Sequence, residues 1–168
     1  MIALMVVTDG FLSWPGGRMR AALGKGGLTT AKLEGDGATP VGMFPLRDLW
    51  YRADRLVAPP KTDLALRVIG PDGGWSDDPR DPLYNRAVRL PYPFGHEKMW
   101  REDGLYDLVV PLGYNDDPPV AGQGSAIFLH CAAPDYAPTQ GCVALARDDL
   151  LTVLAGCGPE TCIDIRPA

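Results

Sequence analysis

The chain has 168 residues, of which 46% are hydrophobic and 22% are charged. This length suits one domain with its own core and is too short for two comfortable ones, so we expect a single domain over residues 1–168. The net charge of −5 argues against a nucleic-acid-binding protein, which needs a basic surface. Glycine (20) and proline (17) are both frequent, which favours turns and short strands over long helices.

The first part of the chain predicts three strands. Residues 2–7 are apolar, and the run ends at once at Thr8-Asp9-Gly10. The run is short and has no basic residues before it, which is typical of a strand and not of a signal peptide. Residues 10–14 and 18–23 predict two further strands, joined by a turn at Pro15-Gly16-Gly17. Nowhere does an apolar run reach the length of a transmembrane helix.

Residues 35–44 read Gly-Asp-Gly-Ala-Thr-Pro-Val-Gly-Met-Phe and predict a turn followed by an extended segment. Pro40 forces extended backbone at Thr39. Because Gly42 has no side chain, the segment can pass close to an active site. A plain hairpin rich in glycine and proline is the alternative.

The next segments are less regular. Residues 50–58 have mixed polarity and predict an edge strand, and residues 64–69 predict another short strand. Residues 71–86 predict a long loop, which in a compact domain is usually functional or mobile. Trp75 in this loop would suit a groove that binds sugar or peptide.

Two candidate binding segments follow. His96-Glu97 lacks the second histidine of a zinc protease helix, so His96 is either a substrate contact or, by default, a surface residue. Residues 105–112 predict a strong strand. Tyr114 and Asn115 come directly after it, at a strand end where active sites collect, so we expect them to line a cleft.

Residues 125–145 carry the strongest signal for chemistry. The apolar run 127–129 predicts a strand ending at His130, and residues 143–145 predict a second strand after Gly141-Cys142. A loop of about a dozen residues lets the two strands lie side by side, which would bring His130 next to Cys142. An imidazole can hold a cysteine as the nucleophilic thiolate and later return the proton. A cysteine that only fills the core is the alternative.

The chain ends with a predicted helix and a predicted strand. The helix begins near Arg147, where Asp148 and Asp149 favour its first turn, and Gly156 is a plausible C-cap. Residues 161–165 predict a closing strand.

The four cysteines do not form a clear disulfide framework. Cys157 and Cys162 could pair across a turn or stay free. A disulfide between Cys131 and Cys142 would silence the proposed nucleophile. A zinc site from His130, Cys131 and Cys142 lacks the short paired spacings of structural sites, and we predict no metal.

Two motifs resemble one known family. His130 followed by Thr139-Gln140-Gly141-Cys142-Val143 resembles the signature of the YkuD-type L,D-transpeptidases, His…(Ser/Thr)-x-Gly-Cys-(Ile/Val). Residues 39–44 resemble the Thr-Pro-x-Gly-x-Phe segment of the same family, about 100 residues earlier. The chain departs from the pattern at Cys131, where glycine is usual, and at Ala144, where arginine is usual. The resemblance implies a mainly β fold, an antiparallel sandwich or barrel-like arrangement with one or two short helices.

The resemblance implies acyl transfer without a cofactor. Cys142 would attack a peptide carbonyl and form a thioester, with His130 moving the proton. A backbone carbonyl would orient His130, because no Asp or Asn is clearly placed to do so. The backbone N–H groups of Cys142 and Gly141, together with Gln140, are expected to stabilise the oxyanion, and the hydroxyl of Thr139 is expected to support the turn.

By the same resemblance, the substrates are peptidoglycan stem peptides. The donor carries meso-diaminopimelate, and the acceptor is an amine of a neighbouring stem. Because Ala144 replaces the usual arginine, the product is either a link between two diaminopimelates or an atypical link through L-Ala. Arg147 or Arg89 is the candidate to bind the donor carboxylate instead. The residues expected to bind substrate are Tyr114, Asn115, Trp75, His96 and Arg147.

Two other functions stay open. A carboxypeptidase or amidase would hydrolyse stem peptides with the same cysteine, and a wall-binding module would keep the fold without catalysis. The family implies the cell envelope or periplasm, whereas the lack of a visible signal peptide allows a cytoplasmic location. The sequence does not indicate an oligomeric state.

Overall fold

The computed structural model describes residues 1–168 and consists mainly of short strands. In chain order the elements are β1 (Leu4–Thr8), β2 (Phe11–Trp14), β3 (Gly17–Arg20), β4 (Leu28–Thr29), β5 (Thr39–Pro40), β6 (Gly42–Pro45), β7 (Leu49–Tyr51), β8 (Leu66–Val68), β9 (Gly73–Ser76), β10 (Ala87–Arg89), β11 (His96–Lys98), β12 (Leu108–Pro111), β13 (Phe128–Cys131), β14 (Val143–Leu145), α1 (Arg147–Leu154) and β15 (Cys162–Ile165).

Two five-stranded sheets form the body of the fold. Their strand orders are β3-β2-β1-β15-β6 and β14-β13-β12-β7-β8. A three-stranded sheet, β10-β9-β11, and the short pair β4-β5 complete the structure. Most neighbouring strands are antiparallel, and the pairs β1–β15, β4–β5, β7–β8 and β13–β14 are parallel. The predicted mainly β sandwich is therefore confirmed, and no sheet closes into a barrel.

The main hydrophobic core lies between the two five-stranded sheets and under α1. Successive side chains of a strand point to opposite faces. On β13, Leu129 and Cys131 join the main core, whereas Phe128 belongs to a second buried cluster on the other face. His130 shares that second face, because its ring contacts Tyr106 of the second cluster.

Helix α1 covers the main core with Leu150, Val153 and Leu154. Asp148 and Asp149 lie in its first turn, as predicted. The C-cap is Ala155 and not Gly156. Gly156 is needed for packing instead, because a Cβ there would lie 2.9 Å from the side chain of Ile2. The chain contains no helix that combines the length and the apolar character needed to cross a membrane.

Two predictions about the middle of the chain were wrong. The predicted edge strand 50–58 is the three-residue β7, which lies between β12 and β8 and is not at an edge. The polar residues after it form a turn, in which the buried Arg52 is bonded to Asp54 at 2.8 Å. The predicted loop 71–86 contains β9, which pairs on both sides with β10 and β11. The sequence did not predict this strand, because it has only four residues and two of them are glycines.

Candidate active site

His130 and Cys142 line one cavity of about 420 Å³. The parallel strands β13 and β14 are neighbours, and the register sets His130 opposite Ala144. Cys142 directly precedes β14. The register thus sets Cys142 beside Phe128, two residues from His130, and both predicted residues line the same cavity without being direct neighbours in the sheet.

The two sequence motifs meet at the turn before Cys142. Gly141 has φ = +135°, and a Cβ there would lie 2.8 Å from the carbonyl oxygen of Ala38. Gly24 also lies close to Gly141, since a Cβ added to Gly24 would lie 2.9 Å from the Cα of Gly141. The fully buried Thr39 fixes this junction, because its Oγ1 accepts a hydrogen bond from the Gly24 N–H at 2.8 Å. The first motif thus supports the turn that carries the cysteine.

The predicted approach of Gly42 to the active site was wrong. Gly42 pairs with Ile165 in β6, within the first five-stranded sheet. A Cβ there would lie 2.9 Å from the ring of Phe44, so the glycine makes room for an aromatic ring and not for a substrate.

Thr139 holds the turn by two hydrogen bonds. Its Oγ1 accepts from the Gly141 N–H at 3.1 Å and donates to the Cys142 carbonyl at 2.7 Å. The Gly141 N–H is therefore already used, whereas the Cys142 N–H has no partner within the chain. Gln140 is exposed at the rim of the cavity. Of the predicted backbone donors for an oxyanion, the one at Cys142 is free.

The thiol of Cys142 is buried and neutral. The residue is 6% exposed, its Sγ donates to the carbonyl of Ala126 at 3.2 Å, and the Phe128 N–H donates to the sulfur at 3.4 Å. Burial, together with the nearby charge of Glu97, raises the pKa of this thiol to about 12. At neutral pH the sulfur is therefore protonated.

His130 is neutral as well. It is 5% exposed, and burial lowers its pKa to about 4. Its Nδ1 lies 2.8 Å from the carbonyl oxygen of Cys131, an acceptor that assigns the proton to Nδ1 and leaves Nε2 free as a base. A backbone carbonyl thus orients the ring, as the resemblance implied. The prediction that the imidazole holds Cys142 as a thiolate does not describe the resting site, because burial disfavours the charged form of both groups.

Two residues to which the sequence analysis gave no role in the site lie near the imidazole, Tyr106 directly and Glu97 through Tyr106. The ring of Tyr106 meets the ring of His130 edge to face, with centroids 5.2 Å apart. The Tyr106 hydroxyl donates to a carboxylate oxygen of Glu97 at 2.9 Å. Burial raises the pKa of Glu97. These side chains come from a different part of the chain, and no local pattern marks them.

The cavity also carries charged side chains from distant segments: Lys32, Glu34, Asp77, Glu97 and Arg101. Lys32 pairs with Asp36, and Arg101 pairs with Asp103. The three carboxylates have no basic side chain within salt-bridge distance. Glu34 instead accepts hydrogen bonds from Ser125, at 2.8 Å, and from Tyr84.

Asn85 connects the cavity wall to the rest of the fold. Its amide oxygen accepts from the indole of Trp75 at 2.9 Å and from the Ala126 N–H at 3.0 Å. Its amide nitrogen donates to the carbonyls of Tyr114 and Asn115. Ala126 has φ = +53°, and its carbonyl accepts the Cys142 thiol. The buried Asn85 therefore fixes the segment against which the thiol rests.

The five residues predicted to bind substrate do not line the cavity: Tyr114, Asn115, Trp75, His96 and Arg147. Tyr114 donates its hydroxyl to the carbonyl of Gln123. The Asn115 side chain closes its own loop through bonds to Val120. Both therefore stabilise the loop that was expected to be a cleft wall.

The other three are engaged elsewhere. Trp75 meets Phe128 edge to face at 5.1 Å and faces a different groove. His96 has its Nδ1 2.8 Å from the carbonyl oxygen of Phe94. Arg147 pairs with Asp107 at 3.1 Å, outside the cavity.

All four cysteines are free thiols. The buried Cys157 donates to the carbonyl of Val153 at 3.3 Å and does not pair with Cys162. No group of three or more histidine, cysteine or acidic side chains is arranged to hold a metal ion.

A buried cysteine and a free imidazole nitrogen in one cavity, on a sandwich of short strands, define a cysteine-histidine site of the L,D-transpeptidase type. The sequence model of YkuD, the L,D-transpeptidase catalytic domain, matches residues 4–165. Because this match spans nearly the whole chain, the chain belongs to the YkuD family, whose members act on peptidoglycan.

A solved structure has the same fold. It is the crystal structure of the helical cell shape determining protein Pgp2 (K307A mutant) from Campylobacter jejuni, with a TM-score of 0.51 and 15% sequence identity. The alignment covers 99% of this chain and 47% of that chain, so this chain spans about half the length of the Pgp2 structure. No curated protein sequence shows significant similarity to the chain.

Proposed function

We propose that this domain, residues 1–168, is a cysteine-dependent peptidoglycan L,D-transpeptidase. In this proposal Cys142 forms a thioester with a stem peptide that contains meso-diaminopimelate, and the acyl group passes to an amine of a neighbouring stem. One observation carries the proposal: His130 and Cys142, the histidine and cysteine of the family motif, line the same cavity. The substrate lies in peptidoglycan, so the cell envelope or periplasm is the proposed site of action.

The chemistry starts from two neutral groups. As Sγ of Cys142 attacks the peptide carbonyl, its proton passes to Nε2 of His130, so charge develops only when the substrate fills the cavity. The free N–H of Cys142 donates to the oxyanion, while Thr139 keeps the turn rigid. The imidazolium of His130 then protonates the leaving amine, and the thioester remains on the sulfur.

The unpaired carboxylates of the cavity favour an amine as the second substrate. Glu34, Asp77 and Glu97 line the same cavity as the sulfur and lack basic partners. Such a surface attracts an ammonium group, which must lose its proton before it attacks the thioester. This feature favours transfer over simple hydrolysis.

Arg101 is the candidate to bind the carboxylate of the donor. The family arginine is absent at Ala144, and Arg147 and Arg89 pair with Asp107 and Asp72 away from the cavity. Arg101 also pairs with a carboxylate, Asp103, but unlike the other two it lines the cavity, where its guanidinium lies 5.0 Å from the ring centroid of Tyr106. A carboxylate held from this side enters the site differently from one held at position 144, which is consistent with either a link between two diaminopimelates or a link through L-Ala.

The test is incubation of the purified protein with disaccharide-tetrapeptide muropeptides, followed by separation of the products by mass. The proposal predicts cross-linked dimers from the wild type and none from Cys142→Ala. The matched control is Cys162→Ala, which changes a thiol in β15 outside the cavity and should keep full activity. Shortened monomers would instead show that the protein is a hydrolase. Activity in the Cys142→Ala variant would contradict the proposed mechanism.

A further inference from the structure

A second recess lies between the five-stranded sheet β14-β13-β12-β7-β8, here called the central sheet, and the three-stranded sheet. Trp50 of β7 and Trp75 of β9 both line two adjoining pockets of about 440 and 310 Å³. We call this recess, with Trp50, Trp75, Arg67, Arg86 and Val68 on its walls, the tryptophan groove. None of these residues takes part in the proposed chemistry.

The two indoles are held in place and yet remain half-buried. Trp75 is fixed by its edge-to-face contact with Phe128 and by its hydrogen bond to Asn85. Trp50 points away from the main core, because its neighbours Leu49 and Tyr51 point into it. The indole N–H of Trp50 has no partner within the chain, so one donor and part of each ring remain available to a ligand. Val68, 57% exposed, adds an apolar rim.

Planar polar groups surround these rings. Arg67 pairs with Asp48 at 2.5 Å and lies 5.7 Å from the centroid of the Trp50 ring. Arg86 donates to the backbone carbonyls of Asn85 and Asp116 and pairs with no carboxylate. The groove therefore offers free N–H donors and an unpaired positive charge, although the chain as a whole has a net charge of −5.

This combination matches one class of ligand. A pyranose ring presents an apolar face that stacks on an indole, while its substituents need hydrogen-bond donors and acceptors at the edge. An N-acetyl group adds a carbonyl oxygen for Arg86 or for the Trp50 N–H, and a methyl group for Val68. We infer that the tryptophan groove binds a glycan chain of N-acetylated amino sugars.

The sheet register relates the groove to the catalytic cavity. Val109 of β12 is opposite His130 on one side and opposite Trp50 on the other. Residues directly opposite each other point to the same face, so Trp50 and His130 share a face, two strand spacings or about 10 Å apart. Val109, which lies between them, is fully buried, so a peptide that joins the two sites passes around it and is longer than this distance. The link to catalysis rests on the proposed function: a glycan in the groove would hold its own stem peptide at the cavity.

Isothermal titration with the pentasaccharide of N-acetylglucosamine tests the binding. The wild type should bind it and should bind cellopentaose, which lacks the acetamido groups, much more weakly. Trp50→Ala should weaken binding about fivefold or more, because the stacking surface is lost. The matched control Trp14→Ala makes the same change in β2 of the other sheet and should bind as the wild type does. The exposed Val68→Glu blocks the rim without touching the core and should also weaken binding, which covers the case of a Trp50→Ala chain that fails to fold.

No measurable binding, equal binding of the two sugars, or unchanged affinity in both groove variants would overturn the inference. The muropeptide assay separates this result from the proposed function. Trp50→Ala should keep transfer between short stem peptides that carry no sugar and lose transfer on polymeric glycan. If the protein bound the sugar but had no transfer activity, the inference about the groove would hold and the proposed function would be wrong.

Discussion

At the scale of single residues, the site is built so that its two reactive groups carry no charge at rest. Cys142 and His130 are both almost fully enclosed, and an ion pair would have to be formed without solvent. The thiol instead donates to the carbonyl of Ala126, and the imidazole Nδ1 is bonded to the carbonyl of Cys131. Burial thus keeps the sulfur of Cys142 protonated, which lowers its reactivity as a nucleophile in the free protein.

This state predicts the pH dependence of alkylation. Because the pKa of Cys142 is about 12, the thiolate fraction and the rate of reaction with iodoacetamide should rise about tenfold per pH unit from pH 6 to 9. Peptide mass spectrometry of the Cys142 peptide measures the rate, and Cys162 in the same sample serves as the internal reference. A rate that is flat between pH 5 and 8 would indicate a resting thiolate and contradict the structure.

At the scale of elements, the turn before β14 depends on close contact between three segments. Gly141, with its positive φ, has no room for a side chain, because Ala38 presses on it. Thr39 and Gly24 complete the same junction. Cys142, the proposed nucleophile, therefore owes its position to a segment about 100 residues earlier in the chain.

Gly141→Ala should lower the free energy of unfolding by about 2–3 kcal/mol, because backbone strain and a clash with the Ala38 carbonyl combine. The matched variant is Gly122→Ala, since Gly122 also has a positive φ of +84° but meets no atom within 4 Å. That variant should lose only about 1 kcal/mol, from strain alone. Urea unfolding measures both, and equal losses would contradict the proposed close contact.

Asn85 affects the position of the Cys142 thiol through Ala126. Asn85→Ala removes the acceptor for the Ala126 N–H, so the carbonyl that holds the Cys142 thiol should shift. We expect kcat to fall about tenfold or more with KM little changed, since the cavity charges stay in place. Thr62→Ala removes a comparable side-chain tie to Cys157 and Leu64, remote from the cavity, and should keep kcat. An equal loss in both variants would reduce the role of Asn85 to stability.

The sequence allowed prediction of the strands and the turn but not of the cavity wall. Continuous apolar runs predict β13 and β14, and the Gly-Cys step predicts which cysteine is the proposed nucleophile. Tyr106 and Glu97 could not be predicted as neighbours of the site, because Tyr106 meets His130 from the segment before β12 and Glu97 reaches Tyr106 from β11. Tyr114 was wrongly predicted to contact substrate, because its position at a strand end suggested a cleft. Its hydroxyl instead closes a loop by a hydrogen bond to the carbonyl of Gln123.

At the scale of the whole molecule, one face of the central sheet carries both the site and the groove. Its cross-strand row runs through Ala144, His130, Val109, Trp50 and Arg67 on five adjacent strands. The other face packs on the main core, whereas this face carries the second buried cluster with the cavity and the groove beside it. His130 lies on this face and is almost fully buried. Protonation of its imidazole should therefore affect the stability of the whole fold.

The pH dependence of unfolding should therefore report on His130. Its pKa is about 4 in the folded chain and about 6.5 in the unfolded chain, so the unfolded state binds more protons between these values. This stabilisation is fully present above about pH 6.5 and is lost as the pH falls towards 4, by about 3 kcal/mol. Urea unfolding of His130→Gln at pH 7 and 4.5 should show a smaller change in unfolding free energy than the wild type. His96→Gln, which removes the other imidazole outside the cavity, should keep the wild-type change because His130 still titrates. If His130→Gln and the wild type lost the same free energy over this range, the imidazole would not be enclosed and neutral in the folded protein.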